Sequence, residues 1–242
     1  MSKINRLILK YKKPLIKGNI ISRLNKFTLL VEFDIKTEKV YLANPGELST
    51  VLERGREILC TIEKSKNRKT RYNAFAIKLN GIYVTVNSNF ANTIFENIIK
   101  RKLILDLKDF YLEKKEKLIP GYGRIDFLLK NSKGKELLVE VKSCTHVEEG
   151  VAKFPDRPTE RGRKHLKILG EMRKKGINSI IVFVIQRPDA LLFKPFREID
   201  PGFANLLERI QNEGVRIKAI STEFVPPDRV YLKNDNLAIK IV

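Results

Sequence analysis

Three residues in the stretch GYGRIDFLLKNSKGKELLVEVKS, positions 121 to 143, are of types that can do chemistry together: Asp126, Glu140 and Lys142. Each lies in or beside an apolar run, and a buried charge without a partner is costly. Strand side chains alternate between faces, so Glu140 and Lys142 share one face about 6.6 Å apart, at roughly 3.3 Å of rise per residue. NSKGK is a polar turn, and pairing across it brings Asp126 opposite or diagonal to Glu140. Two converging carboxylates suit a hard cation, Mg²⁺ or Mn²⁺, with the Val141 carbonyl as a further oxygen. Such an ion polarises a phosphate and lowers the pKa of a bound water, and Lys142 would orient that water or offset developing negative charge. Glu96, on a helix upstream, is either a third acid for the site or a solvent-facing glutamate. The competing reading of the cluster is an ion-paired sheet edge.

The elements that must position these groups fall into two regions. Residues 1–88 read as short strands, among them NKFTLLVEF, KVYLA, EILCTIE, YNAFAIKL and IYVTVN, with ELSTVLERG allowing one helical turn. That pattern predicts a small β-barrel of oligonucleotide-binding type, or a small sandwich. Residues 89–242 mix strands and helices and predict an α/β domain. ANTIFENIIKRKL has helical spacing, and DLKDFYLEKKEKLIP is expected to prolong that helix towards Pro120. CTHVEEGVAKFPDRPTERG is expected as a loop. RGRKHLKILGEMRKKG and FANLLERIQNEG follow as helices stopped by Gly176 and Gly214, around a continuous apolar strand at NSIIVFVIQ.

Composition narrows the partners. The 242 residues carry 48 lysines and arginines against 28 aspartates and glutamates, a net charge of +20 that favours a polyanion. KSKNRKTRYN is the densest basic cluster, and Arg68, Lys69, Arg71 and Tyr72 suit phosphate contact and base stacking. In FPDRPTERGRKHLKIL, Thr159 is a helix cap, with Arg161, Arg163, Lys164 and Lys167 on the early turns. His165 either packs beside the apolar stripe or joins Arg161, four residues away, at a phosphate. Asn44-Pro45-Gly46 reads as a turn rather than a phosphate nest, and GYG lacks the spacing of a nucleotide fingerprint. His146 and His165 make no zinc pattern. Cys60 and Cys144 are too few for a disulfide framework and read as buried thiols. With no apolar run of about 18 residues and no signal-type N-terminus, a cytoplasmic location and no membrane association are expected.

Asp126 followed by Glu140-Val141-Lys142 resembles the PD-(D/E)XK nuclease signature. A larger set of motifs resembles the sugar fermentation stimulation family: ANPG at 43–46, RKTRY at 68–72, VNSNFAN at 86–92, GRIDFLL at 123–129, VEVKS at 139–143 and AKFPDRPTERGRKHL at 152–166. The resemblance implies an oligonucleotide-binding-like domain before a restriction-endonuclease-like domain with a mixed central sheet, and association with DNA, expected as the double-stranded form. It carries the nuclease positions onto Asp126, Glu140 and Lys142, with Glu96 as the helix acid. The chain departs from the family pattern in lacking a serine between Gly123 and Arg124, in Arg157-Pro158 after FPD, and in Glu47 after NPG. Three functions follow: a metal-dependent nuclease, a DNA-binding regulator of sugar catabolism that no longer cuts, or an enzyme acting on an anionic metabolite. Exposed strand edges would permit a homodimer.

Overall fold

The structure is a computed structural model in which residues 6–34, 36–63 and 70–241 are described. The first seven strands are β1 (Arg6–Lys10), β2 (Leu15–Asn25), β3 (Thr28–Phe33), β4 (Lys36–Tyr41), β5 (Glu57–Ile62), β6 (Tyr72–Leu79) and β7 (Ile82–Thr85). Antiparallel pairing joins β4–β3–β2–β5–β6, and a parallel contact, Val40 to Tyr72 and Tyr41 to Asn73, closes the ring. The result is a five-stranded barrel of the oligonucleotide-binding type. Ile20, Leu29, Val31, Val40, Ile58, Cys60 and Ile77 fill it. The long β2 can bend at Gly18, where a Cβ would lie 2.6 Å from a Val31 methyl and 2.7 Å from the Glu32 carbonyl oxygen. β6 and β7 are joined by Asn80-Gly81, both at positive φ, the chemistry a two-residue hairpin turn needs.

The remaining elements are α1 (Phe90–Lys100), a 3₁₀ turn (Leu105–Leu107), β8 (Phe110–Ile119), β9 (Gly123–Asn131), β10 (Glu136–Cys144), β11 (Val147–Glu148), β12 (Val151–Phe154), α2 (Glu160–Lys174), β13 (Asn178–Ile185), β14 (Leu192–Pro195), α3 (Pro201–Asn212), β15 (Arg216–Val225), β16 (Arg229–Asn234) and β17 (Ala238–Ile239). β10, β13 and β15 are parallel and central, while β8–β9–β10 is antiparallel, so the sheet is mixed. β13 is apolar from Ile180 to Ile185 because both its neighbours are parallel strands and both its faces are covered. Ile94, Phe95 and Ile98 of α1 pack on one face with Val139 and Val182. Leu166 and Leu169 of α2, with Phe203 and Leu207 of α3, pack on the other against Leu138 and Phe183. A contact between Tyr83 of β7 and Phe224 of β15 makes barrel and α/β sheet one thirteen-stranded sheet.

Two expectations are corrected. The segment expected to prolong α1 is the edge strand β8, which among the described residues pairs only with β9. Its Lys and Glu residues mimic a charged helix face because one edge is open to water, where charge deters edge-to-edge pairing. The stretch expected as a loop holds the β11–β12 hairpin, turned at Glu149-Gly150 and paired through β12 to β14. β1 and β16, unanticipated, pair with each other.

Asp200 ties α2 to α3. It caps α3 by accepting from the Phe203 N–H at 2.8 Å, accepts from the Thr159 N–H at 2.9 Å beside the start of α2, and takes Arg163 Nη1 at 2.7 Å. Burial pushes its pKa up, but these donors outweigh burial and hold it below the ordinary aspartate value. The stability it contributes is therefore present above the unfolded-state range near pH ~3.9 and is lost as pH falls through the lower folded value. Asp200→Ala is expected to lower the unfolding free energy by about 2–4 kcal/mol, read from denaturant melts at neutral pH, with the difference shrinking in acid.

Candidate metal centre and interdomain cleft

The β9–β10 turn sets the register of the site. Asn131 Oδ1 accepts from the Lys133 and Lys135 N–H groups, and pairing runs from Lys130–Glu136 to Phe127–Val139. There the ladder stops. The next N–H on its outer side, that of Val141, donates to Asp126 Oδ2 at 2.9 Å instead of to a strand carbonyl. Asn92 of α1 donates to Asp126 Oδ1 at 3.2 Å. Burial, and then the charge of Glu140, push the Asp126 pKa up. A carboxyl that resists ionising beside a second carboxyl marks a place where negative charge accumulates without enough compensation.

Glu140 is 1% exposed. Its Oε1 accepts from Lys142 Nζ at 2.5 Å and meets His165 Nδ1 of α2. Lys142 Nζ is 3.2 Å from the same ring nitrogen. Burial is the largest influence on Glu140 and pushes its pKa up, yet Lys142 and His165 outweigh it and hold the carboxyl below its usual range. Glu140 Oε2 is buried with no hydrogen-bond partner among the described residues. An ionised oxygen left bare in the interior is rare enough to need a cause.

These groups open on a cleft of about 610 Å³ between the barrel and the α/β domain. Lys26, Asn44, Pro45 and Gly46 form its barrel wall, and Asp126, Glu140, Val141, Lys142, Arg161 and His165 lie opposite. The Asn44 side chain holds the ANPG turn, accepting from the Gly46 N–H at 2.9 Å and donating to the Val86 carbonyl at 3.0 Å. Leu48 N–H donates to Asp156 Oδ2 at 3.0 Å across the cleft. With the Gly46 and Leu48 amides so used, the loop is a turn that docks one domain on the other. Lys26, Lys142, Lys153, Arg157 and Arg161 in the lining are matched by Glu116, Asp126, Glu140, Asp156 and Glu160, so the +20 excess lies mainly on the surrounding surface.

Of the residues singled out in the sequence, Asp126, Glu140, Val141, Lys142, Arg161 and His165 meet in this cleft. Glu96 does not line it: Lys100 and Lys115 hold its two carboxylate oxygens at 2.6 and 2.5 Å. The α1 residue that reaches the site is Asn92, one turn earlier, which the sequence marked only as the last residue of the VNSNFAN motif. His165 does not pack idly: its Nδ1 meets Glu140 Oε1, and the residue lines the cleft. Lys164 lies apart, beside Gly121 and Tyr122. Tyr72 packs on Phe33, with the Arg71 guanidinium 5.7 Å from its ring centroid, on the barrel and outside the cleft lining. Arg68 and Lys69 lie outside the described residues.

Two family profiles match the chain: "SfsA N-terminal OB domain" over residues 21–86 and "Sugar fermentation stimulation protein RE domain" over 89–228. The chain belongs to the sugar fermentation stimulation family. A sugar fermentation stimulation protein homolog of Caldanaerobacter subterraneus subsp. tengcongensis is 38% identical, over 92% of this chain and 96% of its own. That of Methanothermobacter thermautotrophicus is 37% identical over 84% and 83%. A solved family structure, Pyrococcus furiosus SfsA in complex with Ca²⁺, is 29% identical, covers 97% of this chain and 99% of its own, and superposes with a TM-score of 0.90. The barrel-plus-nuclease-like architecture described above is thus that of the sugar fermentation stimulation family. No helix among the described residues is long and apolar enough to cross a membrane.

Proposed function

We propose that this member of the family binds duplex DNA across the cleft and holds a divalent cation, Mg²⁺ or Mn²⁺, at Asp126 and Glu140 for phosphodiester hydrolysis. The observation that carries the reading is the bare, buried Glu140 Oε2 beside an Asp126 whose ionisation its neighbour opposes. A hard cation satisfies both at once. Among the described residues no three His, Cys, Asp or Glu side chains converge on one point, so protein would supply two carboxylates, with the Val141 carbonyl as the third oxygen. That fits an ion that keeps several waters, as Mg²⁺ does. The Ca²⁺ in the Pyrococcus furiosus structure supports a family taste for hard, oxygen-seeking ions.

A bound cation would supply charge neutralisation at the phosphate and a more acidic water. The chain's own residues do the rest. Lys142 and His165 fix the Glu140 carboxylate from one side, leaving Oε2 as its free edge. Asn92 and the Val141 N–H fix Asp126. Arg161, also on the lining, is placed to take a phosphate oxygen.

A second reading, a DNA-binding regulator that does not cut, draws on one observation: Glu96, the helix acid that the family resemblance brings to the site, is held by two lysines. Duplex DNA incubated with the protein in Mg²⁺, Mn²⁺ or EDTA separates the two, since products that appear with metal and vanish in EDTA require the first. In both readings affinity for DNA is expected to fall at least roughly tenfold between about 50 and 200 mM salt, because released counterions drive such binding. Filter or anisotropy titrations across that range check it, and a flat response removes the charge argument.

A further inference from the structure

Resting on the reading of the protein as a DNA binder, we infer that the β2–β3 hairpin tip is a stacking platform for an unpaired nucleobase next to the cleft. The tip is Lys26-Phe27, flanked by Leu24. Phe27 is 42% exposed and Leu24 47% exposed, at a turn where a two-residue connection ordinarily carries small polar residues. One side of the Phe27 ring has Tyr41 at 6.4 Å between centroids and 28° between planes, so the two rings are stacked. Lys26 Nζ lies 5.5 Å from the Phe27 centroid, and Lys26 also lines the cleft. An aromatic ring, a cation 5.5 Å from its centroid and the cleft beside both suit a nucleotide, base to the ring and phosphate to the cation.

The tip is held rigid, which an idle surface phenylalanine does not need. Arg23 donates to four carbonyls: Lys26 at 2.9 Å, Gly46 at 2.8 Å, Glu47 at 2.7 Å and Asn25 at 3.4 Å. It thereby staples the hairpin to the ANPG turn that forms the cleft wall. Asn25 Oδ1 accepts from the Phe27 N–H at 2.9 Å, and the Phe27 carbonyl accepts from the Leu42 N–H at 2.9 Å. A platform preset in this way gives up little conformational freedom when a base arrives. Fully paired duplex offers no free base face there. A gap, frayed end or flipped base does, so the platform gives the protein a preference for DNA with unpaired bases.

The test compares wild type, Phe27→Ala, Phe27→Leu and Phe27→Trp on two DNAs of equal length, one fully paired and one with a short single-stranded gap carrying 2-aminopurine. Wild type is expected to bind the gapped DNA more tightly and to quench the 2-aminopurine. Phe27→Ala and Phe27→Leu lose roughly five- to hundredfold on gapped DNA, the span of stacking on a single aromatic residue, and change little on paired DNA. Phe27→Trp retains both affinity and quenching. The leucine variant keeps an apolar cover over Tyr41, so a circular dichroism spectrum matching wild type guards against a misfolded hairpin. Equal losses on both DNAs, or none on either, overturn the platform while leaving the DNA reading in place. Wild type that binds neither DNA overturns the DNA reading itself, and the platform with it.

Discussion

Glu140→Gln protein titrated calorimetrically with Mn²⁺ is expected to show affinity at least about a hundredfold below that of the parent chain, and any metal-dependent cleavage is expected to disappear. The substitution keeps the side chain's size and a carbonyl acceptor for Lys142, but removes the anionic oxygen that stands buried and unpartnered. A hard cation draws most of its binding from charged oxygens, so a neutral amide is a poor replacement. The fold should survive. Loss of the charge-assisted bonds from Lys142 and His165 costs about 1–2 kcal/mol, partly offset because Asp126 no longer faces a like charge. DNA affinity in metal-free buffer should stay within about twofold, since charge-driven binding depends on the wider basic surface. Equal saturable titrations in both proteins, or none in the parent chain, remove the metal assignment. A parent chain that binds Mn²⁺ and cuts no DNA supports the regulator that does not cut.

Lys142→Met separates holding a metal from using it. Lys142 is 12% exposed in its side chain and spends its charge on Glu140 Oε1. Without it the carboxylate pair carries more uncompensated negative charge, so Mn²⁺ affinity is expected to hold or rise. Cleavage should nevertheless fall about 10²- to 10³-fold, because the cation that offsets developing charge at the phosphate is gone. Single-turnover cleavage measured at saturating metal, beside the calorimetric affinity, checks both halves. Parallel losses in affinity and rate would make Lys142 a support for Glu140 and nothing more.

The centre of the site was legible because it depends on short-range rules. Period-two alternation places Glu140 and Lys142 on one face, and the NSKGK turn brings Asp126 to them. What the pattern could not supply is where the ladder would open. Pairing stops after Phe127–Val139, and a side chain takes the Val141 N–H. His165 was legible as a residue near the apolar stripe of α2, but its partner is on β10 and depends on how α2 crosses the sheet. Glu96 and Asn92 show the same limit. Both sit on one face of α1, a turn apart, and where the helix lies along the sheet, set by Ile94, Phe95 and Ile98 in the core, decides which one meets Asp126. β8 misled because alternating Lys and Glu suit an exposed helix and a guarded sheet edge equally well. The barrel was legible as strands, while its closure through Val40–Tyr72 is a parallel contact that local sequence does not encode.

The pairing of β1 with β16 sets a timetable for the growing chain. Arg6 lies opposite Leu232, and its guanidinium meets Asp235 at 2.5 Å. At ~5–20 residues per second of synthesis, β1 waits roughly 11–45 s for its partner strand to be made. In that interval the barrel, whose strands all lie between Leu15 and Leu79, can close on its own, while Leu7, Ile8 and Leu9 present an unpaired apolar edge. β1 is thus made well before the strand it pairs with, and that pairing joins the segment ahead of the barrel to the sheet that carries the cleft. Slow synthesis prolongs the exposure of that edge; a factor that shields Arg6–Lys10 would cover it without touching the site at all.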